Sequence, residues 1–194
     1  MNYYIEITLL PNPEINLFSL WSKVLQQIHL GLVEMQYDQK QVPIAASFPE
    51  YVVGKKYSML GGKCRLFAQD EATLIRFDSA KWFIRLSDYV HCTGIRSVPE
   101  KLIGYAIYQR QQPKTNKARL ARRFANRHGV SYKDALQRYT DMSQQKISTP
   151  FVRLKSISSD QVFCLWIKKN LVAEPIVGTF SSYGLSYKAT VPEF

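Results

Sequence analysis

Histidine is the residue type of this chain best suited to acid–base chemistry, because its ordinary pKa of about 6.5 lies near neutrality. The chain contains three, His29, His91 and His128. A helix is predicted over roughly 16–33, and at about 100° per residue His29 lies about 40° beyond its apolar stripe. A histidine at such a border can act as a general base. Periodicity alone, however, favours a histidine that only packs.

Positive charge is concentrated in one segment of the chain. The whole sequence has 26 Lys and Arg against 15 Asp and Glu, a net charge of +11. Residues 101–133 hold nine of these basic residues and none of the acidic ones. Solvated helices normally mix both signs, because opposite charges one turn apart stabilise them. The segment therefore favours a polyanionic partner, most often nucleic acid, over a surface that is merely solvated.

A predicted helix over 116–128 presents much of this charge on one face. Asn116 is a suitable N-cap, and Gly129 can end the helix. At about 100° per residue, one arc of about 140° carries four arginines and an asparagine, and the opposite arc is apolar. The polar arc comprises Arg119, Arg122, Arg123, Asn126 and Arg127. The planar guanidinium fork matches phosphate oxygens and the guanine edge, which a solvent-facing helix does not require.

Several other chemistries are disfavoured by the residues present. Cys64, Cys92 and Cys164 are odd in number and form no Cys-x-x-Cys pair, so we expect neither a disulfide framework nor a zinc site. No Asp, Glu or His cluster has the spacing of metal ligands, and no P-loop or dinucleotide motif occurs. We expect a protein without metal or cofactor.

The chain has 194 residues and 46% apolar residues, enough for one medium domain or two small ones. It contains no apolar run long enough to span a membrane and no signal-peptide pattern at its start, so we expect a cytoplasmic protein. The order of predicted elements is β-α-β-β-α-β over the first hundred residues, which indicates an α+β fold with a ferredoxin-like unit. Those elements are strand Tyr3 to Leu9, helix 16–33, strand Val42 to Phe48, strand Arg65 to Phe67, helix Asp70 to Phe77 and a strand over 82–98.

The second half has a different pattern. Residues 102–112 are predicted to be extended, and a short second helix is expected to begin with the capping sequence at Ser131. The runs Phe151 to Ser158 and Gln161 to Lys168 predict a hairpin, and a last strand is expected within 176–187.

Several different short motifs occur along nearly the whole chain in a specific order. They are Pro11-Asn12-Pro13-Glu14, Ile28-His29-x-x-Leu32, Ser47-Phe48-Pro49, Arg110-x-Gln112-x-Lys114-x-Asn116, Arg127-His128, Pro150-Phe151-Val152-x-Leu154-x-Ser156-x-Ser158 and Phe180-x-x-Tyr183-Gly184-Leu185-Ser186. Together they resemble the CRISPR repeat-processing endoribonucleases of subtype I-F.

The resemblance implies a ferredoxin-like N-terminal domain over 1–101 that carries the general base. It also implies a C-terminal domain over 102–194, with the Arg-rich helix, a small antiparallel sheet and the strand of a catalytic serine. The family cleaves CRISPR precursor RNA at the base of the repeat hairpin without metal, and the RNA's own 2′-hydroxyl is the nucleophile. The products are a 2′,3′-cyclic phosphate and a 5′-hydroxyl, and the protein stays bound to the hairpin within the interference complex.

The resemblance also assigns roles to single residues. His29 matches the general base, Ser156 the second catalytic position and Tyr183 a residue that orients the base. Without the resemblance, Ser156 is a polar residue on the outer face of a strand and Tyr183 an ordinary buried aromatic. The positions that match RNA contacts are Arg110, Gln112, Lys114, Asn116, Arg119, Arg122, Arg123, Arg127, Ser158, Ser159 and Phe163. Among these, Arg110 and Gln112 match readers of base edges, and Phe163 matches an aromatic that stacks on the terminal base pair.

One departure from the family pattern concerns the helix, where Ala121 and Asn126 interrupt a denser run of arginines and lower the expected number of phosphate contacts. Two alternatives remain open, a non-catalytic hairpin-binding subunit of a CRISPR surveillance complex and a generic RNA-binding protein. The presence of both His29 and Ser156 favours activity. The expected partners are the CRISPR repeat hairpin and the other subunits of the type I-F complex, with no membrane contact and a monomeric free protein.

Overall fold

The structure is a computed structural model, and it describes residues 1–37, 41–112, 117–140, 147–157 and 159–194. The chain divides into two compact units, one formed by 1–111 with 149–194 and the other by 112–148. In the described residues, no helix has the length and apolar character needed to cross a membrane. The elements in chain order are β1 (Tyr3–Leu9), α1 (Leu17–Glu34), β2 (Ala45–Ser47), β3 (Val52–Val53), β4 (Ser58–Met59), β5 (Lys63–Ala68), α2 (Glu71–Phe77), α3 (Ser79–Phe83), a 3₁₀ turn (Ile84–Leu86), β6 (Val90–Cys92), β7 (Arg96–Ser97), β8 (Gly104–Gln111), α4 (Lys117–His128), α5 (Tyr132–Gln137), β9 (Phe151–Lys155), β10 (Val162–Val172) and β11 (Val191–Glu193).

The first sheet has the strand order β2-β5-β1-β6, with β7 also paired to β1, and all of its pairs are antiparallel. Helix α1 begins at Asn16, whose side chain accepts a hydrogen bond from the Ser19 N–H at 2.8 Å. One stripe of α1 is buried in the core, at Leu20, Trp21, Val24, Leu25, Ile28, Gly31 and Leu32. These residues are spaced at the helical period, and their burial fixes which side of α1 faces the core.

The second sheet has the order β11-β8-β10-β9 and is also antiparallel. Its inner face alternates with period two and enters the same core as the first sheet, through Ala106, Tyr108, Val152, Leu154, Leu165 and Ile167. Helix α1 packs beside β9, where Phe18 meets Phe151 edge to face at 5.3 Å. The α+β class with antiparallel sheets is therefore confirmed. The predicted boundary between domains 1–101 and 102–194 stays a prediction.

The second unit contains α4 and α5. Ala121 and Ala125 of α4 pack with Ala135 of α5 in a small apolar cluster, flanked by Phe124 and Tyr139. The left-handed conformation of Gly129, with φ of 65°, follows α4. Ser131 caps α5 by accepting from the Asp134 N–H at 3.1 Å. The predicted end of α4 at Gly129 and the predicted start of α5 at Ser131 are therefore confirmed.

Two element predictions were wrong. The segment 82–98 is not one strand, because α3 begins directly after α2: Asp78 takes φ of 47° and accepts from the Lys81 N–H at 3.4 Å. Phe83 and Leu86 are then buried at helical rather than alternate spacing. The final strand is not in 176–187, because Ile176 bonds to Thr190 instead, and the chain pairs with β8 only at Val191–Glu193.

Candidate active site

His29 lies on α1 next to the buried Ile28, and its side chain is half-buried. Its Nδ1 is 2.9 Å from the carbonyl oxygen of Ser182, which is 153 residues further along the chain. A carbonyl oxygen can only accept, so Nδ1 must carry the proton and donate it. In the neutral ring, Nε2 then holds the lone pair and can act as a base.

Ser182 and Tyr183 are the central residues of a tight turn. The Gly184 N–H donates to the Ser181 carbonyl at 2.7 Å, and the Ser181 N–H donates to the Leu185 carbonyl at 2.9 Å. Gly184 has φ of 69°, the left-handed conformation that follows a turn of this kind when three residues connect paired segments. The turn therefore presents the Ser182 carbonyl and the Tyr183 ring together.

The Tyr183 ring stacks on the imidazole of His29, with centroids 4.2 Å apart and planes within 8°. Burial raises the pKa of the Tyr183 hydroxyl, and the positive charge of Arg110 offsets part of that rise. The phenol therefore stays protonated near neutral pH. The stack and the carbonyl bond constrain both the plane and the rotation of the His29 ring.

Arg110 and Phe163 lie on the inner face of the second sheet, at its end. Arg110 pairs with the buried Ile167, and Phe163 pairs with the buried Leu154, so all four share one face. The Arg110 guanidinium lies over the Phe163 ring, 5.5 Å from its centroid. Within the described part of the chain, its buried Nε has no hydrogen-bond partner. An unpaired buried donor is costly, and a ligand acceptor would remove that cost.

Ser156 follows β9 and continues the inner-face alternation of Val152 and Leu154. The sequence alone had suggested an outer face for this serine, and the structure places it instead at an inner-face position, half-buried. Its N–H donates to the Gln161 carbonyl at 2.8 Å, and its Oγ accepts from the Ser159 N–H at 3.3 Å. The backbone therefore holds this hydroxyl in place.

The charged face predicted for α4 is present. Arg119, Arg122, Arg123 and Arg127 are exposed, while Ala121 and Ala125 are buried. Arg122 lies over the ring of Tyr132, 6.0 Å from its centroid, and Arg138 lies 4.8 Å from the centroid of Phe124. This leaves a face of guanidinium groups on the outside of the second unit.

The remaining candidate residues are placed as follows. Gln112 is exposed directly after β8, and Ser159 is exposed in the turn between β9 and β10. Lys114, Asn116 and Ser158 lie outside the described residues. The three cysteines are free, and the described ranges contain no group of three or more His, Cys, Asp or Glu side chains that could hold a metal ion.

Neither Ser182 nor the structural role of Gly184 was predicted from the sequence. Ser182 acts through its backbone carbonyl, which no side-chain pattern reveals. The Ser181-x-x-Gly184 spacing is a turn signal that could have located the loop, although not the helix that it meets.

Known proteins are similar to this chain along its whole length. Residues 4–194 match the family described as CRISPR-associated protein (Cas_Csy4). A protein named CRISPR-associated endonuclease Cas6/Csy4 from Escherichia coli (strain UTI89 / UPEC) is 35% identical over 195 residues, covering 100% of both chains. The protein of the same name from Pseudomonas aeruginosa (strain UCBPP-PA14) is 32% identical over 195 residues, again covering 100% of both.

A solved structure titled "CRISPR associated protein Cas6" aligns over 99% of this chain and 98% of its own, with 11% identity and a TM-score of 0.38. A likeness at that level supports no statement about the fold. The family match and the two curated relatives are decisive by themselves. The chain therefore belongs to the Cas_Csy4 family of CRISPR-associated endonucleases, and the resemblance drawn from its motifs is confirmed.

Proposed function

We propose that this endonuclease cleaves CRISPR precursor RNA at the base of the repeat hairpin, without metal, by attack of the RNA's own 2′-hydroxyl. The observation that carries the proposal is the bond from His29 Nδ1 to the Ser182 carbonyl. It leaves the ring with one basic nitrogen, Nε2, which is what abstraction of a hydroxyl proton requires.

In the proposed reaction, Nε2 of His29 takes the proton of the 2′-hydroxyl. The 2′-oxygen then attacks the adjacent phosphorus, and the bond from phosphorus to the 5′-oxygen breaks. The departing 5′-oxygen takes up a proton, which gives a 2′,3′-cyclic phosphate and a 5′-hydroxyl. Every atom transferred comes from the RNA, the histidine or water, so the step needs no further reactant.

Two side chains support the base in this scheme. Ser156 hydrogen-bonds the 2′-hydroxyl and holds it in line for attack, since its own position is fixed by the Ser159 N–H. Tyr183 keeps the imidazole plane oriented through the stack at 4.2 Å. Neither residue has to change its protonation state.

RNA recognition is assigned to two surfaces. On the inner face of the second sheet, Phe163 stacks on the terminal base pair, and Arg110 donates to a guanine edge, for which its unpaired Nε is suited. In the second unit, the exposed arginines of α4 contact the phosphates of the stem. Gln112, Lys114, Asn116, Ser158 and Ser159 are proposed as further RNA contacts on the family pattern.

The arrangement proposed for the first hundred residues is ferredoxin-like. Its support is the order β1-α1-β2-β5-α2-β6, with the short β3–β4 pair and α3 as additions, together with the antiparallel strand order β2-β5-β1-β6. Residues 102–194 are proposed as the RNA-binding domain. We further propose that the protein is a monomer when free, stays on the 3′ hairpin after cleavage as a subunit of the type I-F interference complex, and acts in the cytoplasm.

The decisive experiment is cleavage of the host's repeat RNA in EDTA, beside a substrate with a single 2′-deoxy nucleotide just 5′ of the scissile phosphate. We expect cleavage of the first RNA and none of the second. Cleavage of both would refute attack by the 2′-hydroxyl, and a requirement for added metal would refute metal independence. Tight binding without cleavage of either RNA would instead support the hairpin-binding subunit.

A further inference from the structure

The turn that contacts His29 is joined by backbone hydrogen bonds on both of its sides to β2 and to the segment that precedes β2. The Ala46 N–H donates to the Gly184 carbonyl at 2.8 Å, and the Val42 N–H donates to the Phe180 carbonyl at 2.9 Å. Ala46 belongs to β2 and pairs with Leu66 of β5, so it cannot move without disturbing the first sheet. The position of the turn is therefore set by β2.

Gly184 is where the turn approaches β2 most closely. A Cβ built on Gly184 would lie 2.7 Å from the Ala46 nitrogen, 2.8 Å from its Cβ and 3.2 Å from the carbonyl carbon of Ala45. Two of these three atoms are backbone, so no side-chain rotation removes the overlap. The φ of 69° adds strain for any residue with a Cβ. Only glycine fits this position without moving the turn.

We propose that Gly184 is a positioning residue that fixes which ring nitrogen of His29 carries the proton. The inference rests on the proposed function, in which Nε2 of His29 is the base. Ser182 and Gly184 belong to the same three-residue turn, so lifting Gly184 from β2 carries the Ser182 carbonyl away from Nδ1. Without that acceptor the proton is no longer held on Nδ1. Nε2 is then no longer kept unprotonated, as its role as the base requires.

The test is Gly184→Ala, with Gly129→Ala as the matched control. Gly129 also has positive φ, at 65°, but a Cβ there meets nothing within 4 Å. The control therefore introduces the same backbone strain without the overlap. The tautomer of His29 is measured by long-range proton–nitrogen NMR at a pH where the ring is neutral, with signals assigned by their absence in His29→Ala.

We expect the wild type and Gly129→Ala to hold the proton on Nδ1, and Gly184→Ala to shift it mainly to Nε2. Single-turnover cleavage by Gly184→Ala at saturating RNA should fall about 100-fold, the loss typical of a displacement of about 1 Å at a reacting group. Hairpin affinity should stay within about threefold, because the interaction lost is one needed for chemistry and not for binding.

Ala46→Ser supplies a second, milder variant in case Gly184→Ala does not fold. It adds one oxygen at the same contact from the β2 side and leaves the φ of Gly184 unchanged, so we expect a smaller shift in the same direction. A folded variant with an unchanged tautomer overturns the proposal. So does a loss of cleavage that parallels a loss of hairpin affinity while the tautomer is unchanged. The NMR measurement needs no RNA, so it decides this inference even if the wild type fails to cleave.

Discussion

The arginine face of α4 can be tested by replacing Arg122 and Arg123 together with alanine. Both side chains are exposed, and alanine preserves the helix because it has the highest helix propensity. Each phosphate contact on a duplex contributes about 0.9 to the slope of log affinity against log salt concentration. If both arginines contact phosphates, we expect the double variant to reduce the magnitude of that slope by about 1.8.

The same relation gives the loss of affinity at each salt concentration. With the two affinities taken as equal at about 1 M salt, two lost contacts weaken hairpin binding roughly 200-fold, 30-fold and 3-fold at salt concentrations of about 0.05, 0.15 and 0.5 M, respectively. The loss shrinks as salt rises because the release of condensed counterions then gains less free energy. This convergence at high salt is the signature of an electrostatic contact.

The assay is equilibrium binding of the repeat hairpin across that salt range. The matched control is Arg76→Ala with Arg85→Ala, which removes the same charge from exposed positions in the first unit and should leave the slope unchanged. Circular dichroism checks the helix, because Arg122 also lies 6.0 Å from the Tyr132 ring centroid. An unchanged slope with α4 intact refutes the assignment of this face to the RNA. An equal loss at every salt concentration refutes the electrostatic origin.

Three other outcomes follow from the first unit. His29→Ala should abolish cleavage in a single-turnover assay while hairpin affinity is retained; a loss of binding would make His29 structural. Tyr183→Phe should cleave nearly as fast as wild type, whereas Tyr183→Leu should lose about tenfold, since a stacked ring pair contributes about 0.5–1.5 kcal/mol; equal rates for the two variants would argue against the stack. Burial, together with the charge of Glu193 and its hydrogen bond, raises the pKa of the Tyr108 hydroxyl, so the folded protein keeps a proton that the unfolded chain releases near pH 10. The unfolding free energy should therefore fall above about pH 10, and Tyr108→Phe should reduce that fall by about 1.4 kcal/mol per pH unit in denaturant titrations; an unchanged alkaline slope would contradict the shift.

Hydrophobic periodicity was sufficient to predict the elements whose burial in the core dominates their structure. The alternation of Tyr3–Leu9 predicts β1 with both ends correct, because one face enters the core and Pro11 follows soon after. Helix α1 was equally clear, since the apolar stripe predicts a helix over roughly 16–33 and the helix observed is Leu17–Glu34. In these elements, local propensity and tertiary burial favour the same structure.

Hydrophobic periodicity gave a wrong prediction after α2, where a single residue changes the direction of the chain. The segment after α2 is apolar enough to be read as a strand, but Asp78 in the left-handed conformation starts α3 instead. Aspartate is one of the few residues that adopt this conformation readily, and no periodicity signals it. Phe83 and Leu86 are three positions apart, which fits one face of a helix, but two positions are too few to establish a period.

Ser156 illustrates how the alternation of residues in β9 relates to the face that is buried. Val152, Leu154 and Ser156 alternate, so an inner position for the serine follows as soon as the first two are known to be buried. The other face of β9 carries Arg153 and Lys155, so the alternation of the sequence already predicts that the face of Val152 and Leu154 is the buried one. The outer-face position expected for Ser156 did not make use of this alternation, and the shared core of the two sheets corrects it.

The proposed base and its hydrogen-bond partner come from opposite ends of the chain, and this separation limits any inference from sequence. His29 lies on the first helix, while the Ser182 carbonyl that orients it belongs to a turn 153 residues later. The turn is located by β2, which lies between them in sequence. Because the proton on Nδ1 depends on that contact, the assignment of Nε2 as the base holds only when the first unit is folded. The role proposed for His29 therefore depends on the packed sheets and not only on the helix that carries it.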